Sequence, residues 1–142
     1  MDYLRIALSL TVGLLALTVF PAHAKDRAED RVEDRAEDRT GEAVYNCTCI
    51  VCHGTGLLRA PRLGDAKRWG KLIGEGLDDL VPSSLHGERA MPPKGNNPNL
   101  SDMEVARAVI FMANAGGGKF SEPTAEEVTR WRGMADRKAK AK

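Results

Sequence analysis

The chain has 142 residues, with 21 basic and 20 acidic side chains and a formal net charge of +1. A charge this evenly balanced is not that of a nucleic-acid-binding surface, so no nucleic-acid partner is expected. Only 5% of the residues are aromatic, and all three cysteines fall within six positions, Cys47 to Cys52.

The pattern of the N-terminal residues predicts that the protein is exported. Residues 6–20, "IALSLTVGLLALTVF", are apolar and uncharged after Arg5, and the small residues "AHA" end at Ala24. This pattern predicts a cleavable secretory signal peptide over residues 1–24 and a periplasmic protein. An uncleaved membrane anchor is the weaker interpretation, because a spanning helix needs about 20 apolar residues.

A charged spacer is predicted next, over residues 25–40. The sequence "KDRAEDRVEDRAEDRT" carries 5 basic and 7 acidic side chains and almost nothing apolar. Such a segment has no face to bury, so we expect a solvated tether without a binding site.

The stretch "YNCTCIVCHGTG", residues 45–56, contains the motif that could carry chemistry. Cys49, Cys52 and His53 form the attachment sequence of a c-type haem. The same letters also fit a "CxxCxGxG" zinc repeat, but no second thiolate pair exists to complete a tetrahedral site.

A helix over residues 42–53 would place the two thioether cysteines on one face, with His53 directed at the iron. Cys47 lies two residues earlier on another side of that helix. It is interpreted as a small, inert residue or, in the oxidising periplasm, as the site of a disulfide dimer. A domain of about 80 residues, 41–120, has little core of its own, and a buried porphyrin would supply the missing apolar body.

A second axial ligand is expected from "AMPPKGNNPNL", residues 90–100. Pro92 and Pro93 restrict the backbone, so they can hold Met91 in a fixed position as an iron ligand. A methionine ligand raises the reduction potential. His86 is the rival ligand, although Gly87 after it indicates a helix end, where a histidine is often solvated.

The remaining pattern is helical, and no strand pattern competes with it. We expect helices over 65–73, over 76–86 with an interruption near Pro82, and over 101–115. Ser101 and Glu104 form a capping box for the third. Residues 121–142 should form a short helix, capped by Thr124, and a basic tail, "DRKAKAK". We expect that tail to be frayed, although it could touch acidic lipid.

From about Glu42 to Phe120 the chain resembles the class I c-type cytochromes, specifically the small bacterial cytochrome c-five group. The motifs that carry the resemblance occur in the expected order: "YNCTCIVCHGTG", "APRLGD", Trp69, "MPPKG" and "LSDMEVARAVIFM". Arg59 departs from the pattern, because related proteins commonly have a small residue there, often glycine.

The resemblance implies an all-α fold around one haem c, attached through Cys49 and Cys52, with His53 and Met91 as the axial iron ligands. It further implies a hydrogen bond from His53 to the Pro61 carbonyl, and a position for Trp69 near a haem propionate.

The expected function is therefore periplasmic single-electron carriage between redox partners that dock transiently, without enzymatic activity. The alternative is a haem-based sensor or a protein that binds a gas or peroxide, in which Met91 or His86 is displaced. Membrane contact is expected only through a retained leader or the basic tail.

Overall fold

Every regular element in the described part of the chain is helical. The computed structural model describes residues 38–141, which lie in one compact unit, Ala36–Lys142. In chain order the helices are α1, a run of Gly41–Val44, the π-helical turn Tyr45–Cys49 and Ile50–His53; α2, Ala66–Glu75; α3, Leu77–His86; α4, Asp102–Ala115; and α5, Ala125–Lys140. Short 3₁₀ turns occupy Leu57–Arg59 and Pro93–Asn96. The predicted all-α class is confirmed.

Helices α1 and α4 cross closely, and a glycine allows them to do so. A Cβ added at Gly41 would collide with the backbone carbonyl of Arg107, so no larger residue fits at this crossing. Val44, one turn later, is fully buried in the same contact region. This crossing fixes the start of α1 and, with it, the helix that carries the cysteine motif.

Helix α4 is the centre of the core. Its apolar residues at i, i+3, i+4 and i+7 form a stripe, Val105, Ala108, Val109 and Met112, of which no residue is more than 5% exposed. The predicted capping box is present, because the Ser101 hydroxyl accepts from the Glu104 amide and the Glu104 carboxylate accepts from the Ser101 amide. Local capping and the apolar period therefore agree on where this helix begins and which face it buries.

The expected interruption of the third helix near Pro82 is wrong. Helix α3 runs from Leu77 to His86 without a break. A proline inside a helix removes one backbone hydrogen bond and costs on the order of 3 kcal/mol. Pro82 is fully buried, and so are Val81 and Leu85 beside it. The apolar area that this face buries offsets the lost hydrogen bond. A prediction from local helix propensity does not include this burial.

The C-terminal segment also differs from the expectation of a short helix and a frayed tail. Helix α5 has 16 residues and reaches Lys140. Its apolar face, which includes Trp131 and Ala135, belongs to the same core cluster as α3 and α4. Near its end, the Lys138 ammonium donates to the Asp79 carboxylate and, at 2.9 Å, to the Ser83 hydroxyl. The basic tail is helical because these contacts hold it on α3.

The end of the predicted spacer is fixed to α4. The Arg39 guanidinium lies 2.6 Å from the Glu104 carboxylate, and the Ser101 hydroxyl donates to Asp38 at 2.6 Å. The expected leader, and the spacer up to residue 37, lie outside the described residues. Within residues 38–141, no helix is both long and apolar enough to cross a bilayer.

Candidate haem site

A cavity of about 1710 Å³ lies between α1, α2, α3 and the loop that carries Met91. Its wall combines the expected site residues with apolar side chains from the core. The lining includes Cys49, Cys52, His53, Pro61, Trp69, Met91, Leu72, Leu80, Val109 and Met112. One cavity thus collects all six predicted site residues, although they are spread over more than 40 positions of sequence.

The geometry around His53 leaves one ring nitrogen available. His53 ends α1 and is 8% exposed, and its Nδ1 lies 2.9 Å from the Pro61 carbonyl oxygen. A carbonyl can only accept, so Nδ1 carries the proton and Nε2 keeps its lone pair. Burial lowers the pKa of the imidazole and outweighs the opposing effect of the Pro61 bond. A neutral ring with an oriented, unprotonated Nε2 is the form that binds a metal.

The three cysteines differ in their surroundings. Cys49 is half-buried, and burial raises the pKa of its thiol to about 11, with smaller contributions from Cys47 and Cys52. Cys47 is exposed, and its Sγ lies 3.4 Å from both the Val44 carbonyl oxygen and an Arg39 nitrogen, near the start of α1. Only the pair Cys49 and Cys52 has the spacing of the attachment motif and is followed directly by His53.

The Met91 loop is held by backbone pairing. Glu88 and Met91 exchange two backbone hydrogen bonds of 2.9 Å, which form a tight turn after α3. Pro93 then packs against Gly87, where an added Cβ would lie 2.8 Å from the proline ring. The position of Met91 is therefore determined by contacts on both sides of it in sequence.

Three further contacts hold this loop, and no pattern in the sequence indicates the first of them. The Asn97 amide donates to the Thr48 hydroxyl at 3.2 Å, next to Cys49 in α1. Lys94 lies 3.0 Å from the Asp102 carboxylate at the start of α4 and donates to the Leu100 carbonyl at 2.6 Å. The methionine loop and the cysteine helix are thus fixed relative to each other.

His86 is placed differently from both of its expected roles. It ends α3 but does not line the cavity, whereas Met91 does. The expectation of a solvated terminal residue is wrong, because its side chain is only 4% exposed. Its Nε2 lies 3.8 Å from the Glu88 carboxylate. Gly87, with φ at +86°, ends the helix as expected and turns the chain toward the methionine loop.

Trp69 forms one wall of the cavity. It is 3% exposed, and its ring centroid lies 6.2 Å from that of His53. The indole N–H donates to the Arg62 carbonyl at 2.8 Å. The bond ties α2 to the loop that also presents Pro61 to His53.

The loop after the motif is strained at two residues. Leu58 and Arg59 have φ values of +51° and +64°, the left-handed region that favours glycine. Arg59 is the position where the resembled family commonly has a small residue, so the backbone conformation accounts for that preference. Leu58 was not singled out in the sequence, although a leucine with positive φ is the rarer feature.

Comparisons with known proteins identify the family of the chain. Residues 36–112 match the family described as cytochrome C oxidase, cbb3-type, subunit III. Cytochrome c-555 of Chlorobaculum thiosulfatiphilum is 40% identical over 76 residues, which cover 51% of this chain and 88% of that protein. Cytochrome c5 of Azotobacter vinelandii is 45% identical over 76 residues, which cover 52% of this chain and 92% of that protein.

A solved structure shows the same fold. A chain from the crystal structure of an electron transfer complex of nitrite reductase with cytochrome c superposes with a TM-score of 0.53 at 37% identity. The match covers 56% of this chain and 96% of that chain. Membership of this family implies a covalently bound haem c with its iron. The chain therefore belongs to the cytochrome c family of electron carriers, among the small class I mono-haem proteins that include cytochrome c-555 and cytochrome c5.

Proposed function

We propose that this protein carries single electrons in the periplasm through a haem iron held by His53 and Met91. The observation that carries the proposal is the single cavity that brings the Cys49–Cys52 motif, the Nε2 side of His53 and the Met91 loop together. The residues fit a haem c, because the cavity offers two suitably spaced thiols, an unprotonated imidazole nitrogen and a thioether among apolar side chains.

Each residue has a distinct task in this arrangement. Cys49 and Cys52 would hold the porphyrin covalently, and His53 would bind the iron in an orientation set by Pro61. Met91 would supply the second ligand, and Trp69 would exclude water from the proximal side. When bound, the haem supplies a one-electron redox couple, whose potential the axial ligands and the burial of the site adjust.

The paired and packed loop supports carriage over ligand sensing. The Glu88–Met91 bridge, the Gly87–Pro93 contact and the Asn97–Thr48 bond would all resist displacement of Met91. Two retained ligands leave no open coordination position, as a carrier requires. Transient docking of redox partner proteins would take place where the haem edge meets the surface, through the small interfaces typical of such encounters.

An absorption spectrum of the exported protein tests the proposal first. Haem should stay with the polypeptide after denaturing extraction, and the oxidised protein should show the far-red sulfur-to-iron band. Met91→Ala should abolish that band. His86→Ala should keep it, and so should Met103→Ala, a methionine of α4 that does not line the cavity. A redox titration should follow a one-electron curve.

The alternative functions predict other results. Rapid binding of carbon monoxide to the reduced wild-type protein would contradict the carrier proposal and indicate a sensor or ligand-binding protein. Loss of the band in His86→Ala in place of Met91→Ala would overturn the ligand assignment. A colourless protein that unfolds with a chelator would contradict haem binding and favour zinc.

A further inference from the structure

A bidentate ion pair joins helix α5 to the start of α4. The Arg132 guanidinium donates from Nε to Asp102 Oδ2 at 2.6 Å and from Nη2 to Asp102 Oδ1 at 2.5 Å. Two parallel hydrogen bonds from a planar group fix the orientation of a carboxylate, because they leave it little freedom to rotate. Helix α5 therefore determines where each oxygen of the Asp102 carboxylate lies.

The same carboxylate holds Lys94, which follows Met91 by three residues. The Lys94 Nζ lies 3.0 Å from Asp102 Oδ1, the oxygen that also accepts from Arg132. Its other hydrogen bond goes to the Leu100 carbonyl at 2.6 Å. Asp102 thus lies between a cation of α5 and a cation of the Met91 loop, and it contacts both.

The backbone at Lys94 is strained, so its position depends on such contacts. Lys94, Gly95 and Asn96 have φ values of +52°, +63° and +68°, and only the glycine adopts this region without a steric cost. A strained segment persists where the contacts around it determine its conformation. Loss of the anchor at Lys94 should therefore loosen the loop that presents Met91.

The three side chains are shielded from water more than another ion pair of α5. Lys94, Asp102 and Arg132 are 20%, 24% and 34% exposed, whereas Arg130 and Asp78 are 54% and 60% exposed. Water and salt weaken an ion pair more when its charges are exposed. We therefore expect the contact of Arg132 with Asp102 to be the firmer of the two arginine pairs.

We propose that Arg132 is a positioning residue for the Met91 loop. It orients the Asp102 carboxylate, which holds Lys94, and the anchored loop resists displacement of its methionine from the haem iron. This inference rests on the proposed role of Met91 as an iron ligand. Arg132 lies beyond residues 36–112, which match the family, so the restraint comes from a helix outside the matched segment.

Imidazole binding to the oxidised, haem-loaded protein measures this restraint, because imidazole can occupy the proposed position of Met91 on the iron only when the methionine leaves it. The titration is followed at neutral pH by loss of the far-red sulfur-to-iron band. The test variant is Arg132→Gln. The matched control is Arg130→Gln, which removes an arginine–carboxylate pair between α5 and Asp78 on α3.

We expect Arg132→Gln to raise the apparent association constant of imidazole about fivefold or more, an effect of the size found for residues that couple through a contact network. Arg130→Gln should leave that constant within about twofold of the wild type. Arg132→Lys keeps the positive charge but loses the bidentate geometry, so its imidazole affinity should be intermediate.

A double variant tests whether Arg132 acts through Lys94. If it does, Arg132→Gln/Lys94→Gln should bind imidazole no more tightly than Lys94→Gln alone, because both changes remove the same anchor. Arg132 also lies 3.6 Å from Asp136 within α5. Additive effects would show that Arg132 acts by another route, such as this second contact, and would overturn the proposal.

Urea titrations of the same variants separate positioning from structural support. A lower free energy of unfolding in Arg132→Gln with an unchanged imidazole affinity would show that Arg132 only stabilises the fold. An equal rise in imidazole affinity in Arg130→Gln would assign the effect to general loosening of α5. Absence of the far-red band from the oxidised wild type would instead refute the proposed ligation by Met91, and this inference with it.

Discussion

Truncation of Trp131 tests whether helix α5 belongs to the cooperative core of the haem domain. Trp131 is 1% exposed, and its indole N–H donates to the Asp78 carboxylate at 2.7 Å. Large-to-small changes at buried aromatic positions cost about 3–5 kcal/mol. The hydrogen bond adds about 1 kcal/mol at most, because Asp78 is 60% exposed and water can replace the donor. We therefore expect Trp131→Ala to lower the free energy of unfolding by about 4 kcal/mol.

A urea titration of the haem-loaded protein, followed by far-UV circular dichroism, measures this difference. Trp131→Phe should lose about 1–2 kcal/mol, because it keeps most of the ring and loses only the N–H and some volume. Arg137→Ala is the matched control, since Arg137 is exposed on the same helix and has no ion-pair partner in residues 38–141. A loss of less than about 1 kcal/mol in Trp131→Ala would show that α5 is a dispensable appendage.

Three other predictions follow from the same structure. Arg59→Gly should stabilise the protein by about 1 kcal/mol in thermal unfolding, because φ at this residue is +64°, and no stabilisation would contradict the strain argument. Hydrogen bonds from Arg132 lower the pKa of the Asp102 carboxyl. The ionised carboxylate should therefore stabilise the folded protein fully above the unfolded-state pKa of Asp102, and this stabilisation should be lost as pH falls through the folded-state pKa. In urea titrations at successive pH values, Asp102→Asn should reduce the fall in the free energy of unfolding at acidic pH. An unchanged fall would refute the assignment to Asp102. Cys47→Ser should retain the full amount of covalent haem while removing any disulfide dimer from non-reducing gels, whereas loss of haem would show that Cys47 takes part in attachment.

The sequence predicted best those features that depend on neighbouring residues. The capping boxes that begin with Ser101 and Thr124 are formed by side chains three residues apart, so their spacing alone identifies both helix starts. The apolar stripe of α4 can be read from the sequence for the same reason, because its residues recur at i, i+3, i+4 and i+7. The cysteine motif could be recognised because its chemistry requires a fixed local spacing.

Features that depend on distant contacts were missed. Helix α3 continues through Pro82, and α5 extends to Lys140, because the two helices pack against each other in one core cluster. The sequence of neither segment alone contains this packing. The buried position of His86 likewise depends on how the chain turns after Gly87. Trp69 donates to the Arg62 carbonyl, and no backbone acceptor can be read from residue types. Such contacts are decided by packing and override local propensity.

The π-helical turn Tyr45–Cys49 in α1 sets the rotation between the two ends of that helix. The Ile50 amide bonds to the Tyr45 carbonyl, five residues back, so the turn holds one residue more than an α-helical turn would. One α-helical residue corresponds to about 100° of rotation. With this extra residue in the turn, Gly41 lies against α4 and His53 lines the cavity. Deletion of one residue within this turn, for example Cys47, would return it to α-helical spacing and change the rotation between Gly41 and His53 by about 100°.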